Sequence, residues 1–293
     1  MKRVLVTGAT GFLGRSLVPQ LLAARVKVTA HGRTDSPFDP DLDYVRCDLT
    51  QPDGVDTALV PWRWDAVINL AGPVTGGAED MTTGMSVIRA HVAIALQLRR
   101  VMHPTTRVVQ ASSMTVYGMP TQDRVREDHP RAPLHLYGLA KVLAEDVWLA
   151  DPALDTRVLR LPGLFSERRK GGALYHFCRA ARRGDPLHVT TPVPTPWDVL
   201  HVDDAADACV IAALKEGVGP GPFNISYGEP VELVAIATWI AAHAGMGSHA
   251  SGLPGVVHPV FCVDNTAART RLGWHSRTLH ERLARIYDAS GDS

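Results

Sequence analysis

Tyr137 and Lys141, in the run Tyr137-Gly138-Leu139-Ala140-Lys141, are the residues of this sequence best suited to moving a proton. On a helix, a spacing of four puts both side chains on one face. An ammonium beside a phenol favours the phenolate and so lowers the phenol's pKa. Such a phenol exchanges a proton with an alcohol or carbonyl while hydride passes to or from a nicotinamide. A second group of hydroxyls lies in Ala111-Ser112-Ser113-Met114-Thr115-Val116-Tyr117-Gly118, at the end of a predicted strand. A hydroxyl at that edge holds the substrate oxygen and supports the charge that develops on it.

The cofactor for this chemistry has a matching signal at the N-terminus. Val4-Leu5-Val6 runs into Thr7-Gly8-Ala9-Thr10-Gly11-Phe12-Leu13-Gly14, and a helical pattern follows. Gly8, Gly11 and Gly14 leave backbone N–H groups open to a pyrophosphate at a helix N-terminus. Strand, glycines and helix in that order form a dinucleotide fingerprint. An NAD site usually carries Asp or Glu at the end of the second strand, on the ribose hydroxyl. Here that strand ends Ala30-His31-Gly32-Arg33, with glycine at the acid position. A gap plus a guanidinium fits an anionic 2′-phosphate, so the expected cofactor is NADP, with NAD the alternative. Arg33 is the main phosphate candidate and Arg15 the second. Asp48 and Leu49, after the third strand, are placed near the adenine. Leu70-Ala71-Gly72, after the fourth, bring small residues against the dinucleotide.

The elements that must carry these residues read as alternating strands and helices. Strands are predicted at 3–7, 27–30, 43–47, 66–70, 106–111 and 157–161, with helices at 13–24, 87–102 and 137–150. Such alternation implies an α/β fold, a Rossmann-type doubly wound parallel sheet. Beyond residue 162 the pattern changes to a basic helix near 173–183, a proline-rich run over 186–196, helices near 203–215 and 233–244, and a helical tail from 266. The expected organisation is a dinucleotide-binding domain over 1–162, completed by about 198–225. A smaller C-terminal substrate lobe takes 163–197 and 226–293.

Together TGATGFLG, SSMTVYG and YGLAK resemble the extended short-chain dehydrogenase/reductase family, the epimerase/dehydratase-like group. Leu200-His201-Val202-Asp203-Asp204 is similar to that family's hVdD segment and Phe223-Asn224-Ile225 to its yNi strand. Asp264, Ala268-Arg269 and Leu272-Gly273-Trp274 are similar to its C-terminal pattern. The resemblance implies Ser113 as the catalytic hydroxyl, Tyr137 as acid/base and Lys141 as its partner. Tyr137 and Lys141 also fall in the cofactor set, with Phe12, Leu13 and Pro162. Thr115 is implied as a second hydroxyl near substrate. It also implies a homodimer built on the helices at 87–102 and 137–150, with Leu96, Val142, Leu143 and Trp148 as candidate interface positions.

Several positions depart from the family pattern. His91 stands where many members carry an Asn that holds a water near the Lys; it either takes over that relay or is an ordinary helix histidine. Trp197-Asp198 replaces an Arg that pairs with a substrate diphosphate. Arg160-Leu161-Pro162-Gly163-Leu164 lacks the usual Asn. Trp197 either stacks on a sugar face or fills the lobe's core. The basic set Arg168, Arg169, Lys170, Arg179, Arg182 and Arg183 either attracts a phosphate or carboxylate or is a solvated helical face. These features point to an oxidoreductase acting on a polar, sugar-like carbonyl or alcohol. The alternatives are an epimerase that retains its NAD(P) and a non-catalytic dinucleotide sensor.

Bulk properties narrow the partners. Lysine plus arginine and aspartate plus glutamate each number 30, so net charge is zero and argues against nucleic acid or an anionic membrane. The apolar run at the N-terminus is shorter than a secretory signal, and no run approaches the roughly 20 apolar residues of a membrane span. The expectation is a cytoplasmic protein with a small-molecule substrate. The four cysteines, Cys47, Cys178, Cys209 and Cys262, form no CxxC pair, so no metal site is expected.

Overall fold

A computed structural model describes residues 1–34, 41–60, 62–75, 80–120, 122, 124–193, 196–229, 231–247, 250–254 and 262–290. Its centre is a sheet of seven parallel strands: β1 Arg3–Thr7, β2 Lys27–Gly32, β3 Asp43–Arg46, β4 Ala66–Asn69, β5 Arg107–Ser113, β6 Thr156–Leu161 and β7 Gly221–Asn224. The spatial order is β7-β6-β5-β4-β1-β2-β3, with every neighbouring pair parallel. The order reverses between β1 and β4, and in such sheets ligands bind at the carboxyl ends of the strands beside that reversal.

Strand alternation sorts side chains onto two faces. Val4 and Val6 of β1 and Ala66 and Ile68 of β4 enter one core, which also holds Leu17, Leu21, Ala205 and Cys209. Those last residues lie on helices α1 (Gly14–Ala23) and α6 (Val202–Leu214). Leu5 and Val67 point the other way, to a core with Val55, Ile94, Leu98 and Trp148. That face is covered by α2 (Pro52–Leu59), α3 (Met81–Val101) and α4 (Leu136–Leu149). The period of two in the strands thus produces the two-faced burial that a doubly wound sheet needs.

A separate core collects Phe165, Leu174, Phe177, Val199, Ile236, Ile240, Leu283 and Ile286. It is built by α5 (Ala173–Arg183), α7 (Leu233–His243) and α8 (Leu279–Ala289) with short strands. Among these, Gly163–Phe165 pairs in parallel with Val199–His201, and Leu187–Val193 with Ala250–Pro254. The proline-rich run is therefore largely strand, on the edge of a two-stranded sheet where a missing N–H is tolerated.

One boundary and one element differ most from the sequence reading, each for a local reason. Helix α3 begins at Met81 rather than 87, because the Asp80 side chain accepts the Thr83 N–H at 2.8 Å and caps it. The short helix α2, which opens on Pro52 at its first turn, was not anticipated. Among the described residues no helix is long and apolar enough to cross a membrane.

Candidate active site

The glycine loop lies at the strand reversal. Gly8 has φ +66°, and a Cβ there would sit 3.0 Å from the Ala71 nitrogen and the Leu70 carbonyl carbon. Only glycine lets the β1 and β4 loops approach this closely, and the space a side chain would fill suits a flat phosphate cradle. Helix α1 follows with Leu13 at its N-cap, no side-chain cap and no acidic residue in the first turn. The Arg15 and Ser16 N–H groups donate to the Gly11 and Leu13 carbonyls at 3.0 and 3.1 Å, which leaves the N–H groups of Phe12, Leu13 and Gly14 to face an anion. The loop and the helix end it leads into thus fit the pyrophosphate of a dinucleotide, which Gly8, Gly11, Phe12, Leu13 and Gly14 would hold through the backbone.

Beneath the loop runs a chain of buried polar side chains. Thr7 Oγ1 donates to Asn69 Oδ1 at 2.6 Å, Asn69 Nδ2 donates to Gln110 Oε1 at 2.8 Å, and Trp148 Nε1 donates to the same oxygen at 2.8 Å. The Ala71 N–H donates to Thr7 Oγ1 and Asn69 Oδ1, both at 3.3 Å. Trp148 is fully buried here, which corrects its expected place at a subunit interface. Leu96 is half exposed on α3, and Val142 and Leu143 are partly exposed on α4.

Gly32 explains itself by what surrounds it. A Cβ there would fall 2.4 Å from the Tyr44 hydroxyl and 3.1 Å from Thr10 Oγ1. The Tyr44 hydroxyl, which donates to the Thr34 carbonyl at 2.9 Å, occupies the volume where a carboxylate would branch. Arg33 is exposed just beyond, and its carbonyl accepts Arg46 Nε at 3.3 Å. Arg15 Nε turns back to the Thr10 carbonyl at 2.9 Å. Tyr44 and Thr10 were missed in the sequence, because nothing in their spacing places them opposite Gly32.

His31 was missed as well. One ring nitrogen lies 3.0 Å from the Cys47 carbonyl, which only accepts, so that nitrogen carries the proton. The other is left to accept the Gly8 N–H at 3.5 Å. Burial holds its pKa below the ordinary value, consistent with this neutral tautomer. Asp48 folds onto its own turn, accepting from the Thr50 N–H and hydroxyl at 2.9 and 2.8 Å. The Leu49 side chain is in the core.

The proton-moving group gathers around the start of α4. Ser113 ends β5 and caps the 3-10 turn Met114–Tyr117; its Oγ accepts from the Thr115 N–H at 3.2 Å and the Thr115 hydroxyl at 3.0 Å. This turn packs on α4 at Gly138, where a Cβ would meet the Thr115 carbonyl at 2.8 Å. Lys141 Nζ lies 5.6 Å from the Tyr137 ring centroid and donates to the Ala111 carbonyl at 3.2 Å. Ser113, Thr115, Tyr137 and Lys141 are therefore neighbours at the carboxyl edge of β5.

The electrostatics differ from the sequence expectation in one respect. Burial pushes the Tyr137 phenol up to about 12, because desolvation penalises the phenolate. Burial likewise brings Lys141 down to about 8, opposed by the Glu145 carboxylate one turn further along α4. Tyr137 is thus a phenol at neutral pH, the form that donates a proton to a carbonyl.

His91 packs against both parts of the site. Its Nε2 lies 3.0 Å from the Pro73 carbonyl and so carries the proton, and its ring meets the Tyr137 ring edge-on at 6.1 Å. A Cβ on Gly72 would overlap the His91 ring at 2.2 Å. Burial, then the charge of Lys141, brings its pKa down to about 3, so the ring is neutral.

Of the remaining sequence candidates, Pro162 is buried after β6. Trp197 pairs with Val231 through the backbone, and its side chain lies outside the described residues. The basic set divides. Arg182 donates to the Tyr287 and Asp288 carbonyls, Arg183 pairs with Asp185, and Arg179 lies over the Tyr175 ring. Arg168 instead donates to Ser16 of α1, and Arg169 lies over the Phe12 ring in the glycine loop. The cysteines are free, three of them buried. Among the described residues one group, Glu167, His201 and Asp203, has a spacing open to a metal ion. Arg285 supplies its positive charge, at 2.6 Å from Glu167 and 3.5 Å from Asp203.

A family model for the NAD dependent epimerase/dehydratase family matches residues 4–226. The chain belongs to this family. It is accordingly an NAD(P)-dependent enzyme of the extended short-chain dehydrogenase/reductase type. The UDP-glucose 4-epimerase of Azospirillum brasilense is 28% identical over 96% of this chain and 88% of its own length. The dTDP-6-deoxy-L-talose 4-dehydrogenase (NAD(P)(+)) of Kitasatospora kifunensis is 29% identical over 98% and 95%. A structure of MoeE5 in complex with UDP-glucuronic acid and NAD superposes with a TM-score of 0.80 at 26% identity, covering 99% of both chains.

Proposed function

We propose that this enzyme is an NADP-dependent oxidoreductase acting on a polar, sugar-like carbonyl or alcohol, with Ser113, Tyr137 and Lys141 as its catalytic residues. The reading rests on one observation: Lys141 lies over the Tyr137 ring at 5.6 Å, with the Ser113–Thr115 turn packed on the same helix beside the glycine loop. The nicotinamide supplies or accepts hydride when bound. Tyr137 gives its phenolic proton to the carbonyl oxygen as that oxygen gains charge, or recovers it when an alcohol is oxidised. Ser113 donates a hydrogen bond to the same oxygen. The Lys141 ammonium steadies the phenolate that forms. We read the core of α5, α7 and α8, with its strands, as the substrate lobe, with Thr115 as a second hydroxyl near the substrate.

The second reading is a sugar or nucleotide-sugar epimerase that oxidises and re-reduces one carbon with retained NAD(P). It is favoured by the epimerase relative, as the first reading is by the 4-dehydrogenase.

The cofactor preference is testable directly. With Tyr44 filling the acid position and Arg33 exposed beside it, NADPH is expected to bind about tenfold to a hundredfold more tightly than NADH, the scale of one charge-assisted pair. Fluorescence titration of both measures the ratio, and equal affinities or an NADH preference overturn the assignment. We also propose a homodimer through the outer faces of α3 and α4, where Leu96, Val142 and Leu143 remain accessible. Light scattering at micromolar concentration should give twice the chain mass, and a monomer refutes it.

A further inference from the structure

Arg168 and Arg169 lie between the strand Gly163–Phe165 and α5, on the side of the core formed by α5, α7 and α8. Arg168 reaches across to the first turn of α1, and Arg169 to the glycine loop just before it. An Arg168 guanidinium nitrogen donates to Ser16 Oγ, inside that turn. The Arg169 guanidinium lies 5.9 Å from the Phe12 ring centroid and is fixed by a 2.6 Å bond to the Leu164 carbonyl. Among the described residues neither arginine forms a salt bridge with a carboxylate, although both belong to the most basic stretch of the chain. Two unneutralised guanidinium groups therefore converge on a helix end that itself carries partial positive charge. The first turn of α1 offers no acidic residue to balance them. Like charges are gathered this way, at an electrostatic cost, where an anion is to be bound.

We propose that Arg168 and Arg169 close over the pyrophosphate of the bound dinucleotide, completing the anion site opened by the glycine loop. This rests on the dinucleotide reading above and adds residues that the glycine motif does not contain. An arginine carries five N–H donors in a fixed fork. Arg168 commits one to Ser16 and Arg169 one to Leu164, leaving the others for phosphate oxygens. The two arginines come from the far core and the helix from the central sheet. Binding the pyrophosphate therefore ties the two parts of the chain together at the mouth of the site. This assigns the basic stretch two separate roles: Arg179, Arg182 and Arg183 hold α5 in place, while Arg168 and Arg169 hold ligand.

The pyrophosphate is common to NADH, NADPH and ADP-ribose, whereas the 2′-phosphate belongs to NADPH alone. Titrating the full chain with all three separates the Arg168/Arg169 site from that of Arg33. Arg168→Ala with Arg169→Ala should weaken all three ligands by one common factor, tenfold or more, an order-of-magnitude expectation for losing charged hydrogen bonds. Arg33→Ala should weaken NADPH alone. Arg169→Lys should recover part of the loss, since the charge returns without the fork. Melting temperature should be unchanged, because both arginines are exposed. Unchanged ADP-ribose affinity in the double variant overturns the proposal, as does a loss confined to NADPH. A wild-type chain that binds none of the three ligands overturns the dinucleotide reading itself, and this proposal with it.

Discussion

Tyr137→Phe is expected to lower turnover by at least about a hundredfold, the usual scale for losing a positioned acid/base group, while leaving the fold intact. The substitution deletes one hydroxyl and keeps the ring, which retains its edge contact with His91 at 6.1 Å and its place under the Lys141 ammonium at 5.6 Å. The glycine loop is untouched, so NADPH affinity should hold. Ser113→Ala should be milder, because the Thr115 hydroxyl lies 3.0 Å from Ser113 Oγ and can take over part of its bond to substrate. Single-turnover hydride transfer and thermal melting, run on one Tyr137→Phe sample, distinguish the roles. A lower melting temperature with near-normal transfer makes Tyr137 a packing residue and removes the mechanism.

The largest expected loss of stability comes from one turn beyond Lys141. Glu145 is fully buried, and its carboxylate accepts from Arg160 Nε at 3.1 Å and Nη2 at 2.8 Å. It also accepts from Ser112 Oγ and from Arg131 Nη1 at 3.2 Å. Arg160 in turn donates to the Tyr117 hydroxyl at 2.8 Å, which donates to Asn224 at 2.6 Å. This network locks β5, the turn after it, α4 and β7 behind the catalytic group. Glu145→Ala leaves the Arg160 guanidinium buried without its counter-charge, which costs about 3–5 kcal/mol. For a chain of this size that corresponds to a melting temperature lower by on the order of 10 °C. Glu145→Gln keeps the shape and removes only the charge. Lys141, about 8 with Glu145 present, then loses the group that opposes its desolvation, so its pKa falls. The ammonium is the working form, and it deprotonates at lower pH in the variant. The alkaline limb of the turnover profile should therefore move to lower pH. A limb that does not move shows that the Glu145 charge does not reach Lys141, and an unchanged melting temperature in Glu145→Ala removes the stability argument.

What could be read from sequence was whatever is local. The glycine loop, the order of strands and helices, and the four-residue spacing of Tyr137 and Lys141 each depend on a single stretch of chain. The strands and the helix after the glycine loop appear within two residues of their expected bounds, whereas α3 starts six residues early at its Asp80 cap. The residues that were missed act across the fold. Tyr44 faces Gly32 from a neighbouring strand, and His31 joins the glycine loop to the end of β3. Arg160 and Glu145 meet from different elements, 15 residues apart. Pairings of this kind follow from strand register and helix packing, which a pattern of residue types does not encode. The Tyr137 phenol pKa failed for a related reason. Spacing shows that an ammonium is near but not how much water the phenol loses, and burial raises the phenol here. Trp148 was misplaced because an apolar helix position does not say which side of the helix meets the sheet; its indole N–H bond to Gln110 decides it.

The central claim, net hydride transfer from a nicotinamide to a sugar-like carbonyl, is tested most directly by following a label. The wild-type chain is incubated with NADPH carrying deuterium at the transferable position and a panel of keto-sugars, free and nucleotide-linked. Product mass and nicotinamide absorbance are then read on the same sample. The account predicts deuterium in the product alcohol, with oxidised cofactor accumulating one-for-one. A sugar converted to its epimer with no net loss of NADPH would contradict it and establish the retained-cofactor reading instead.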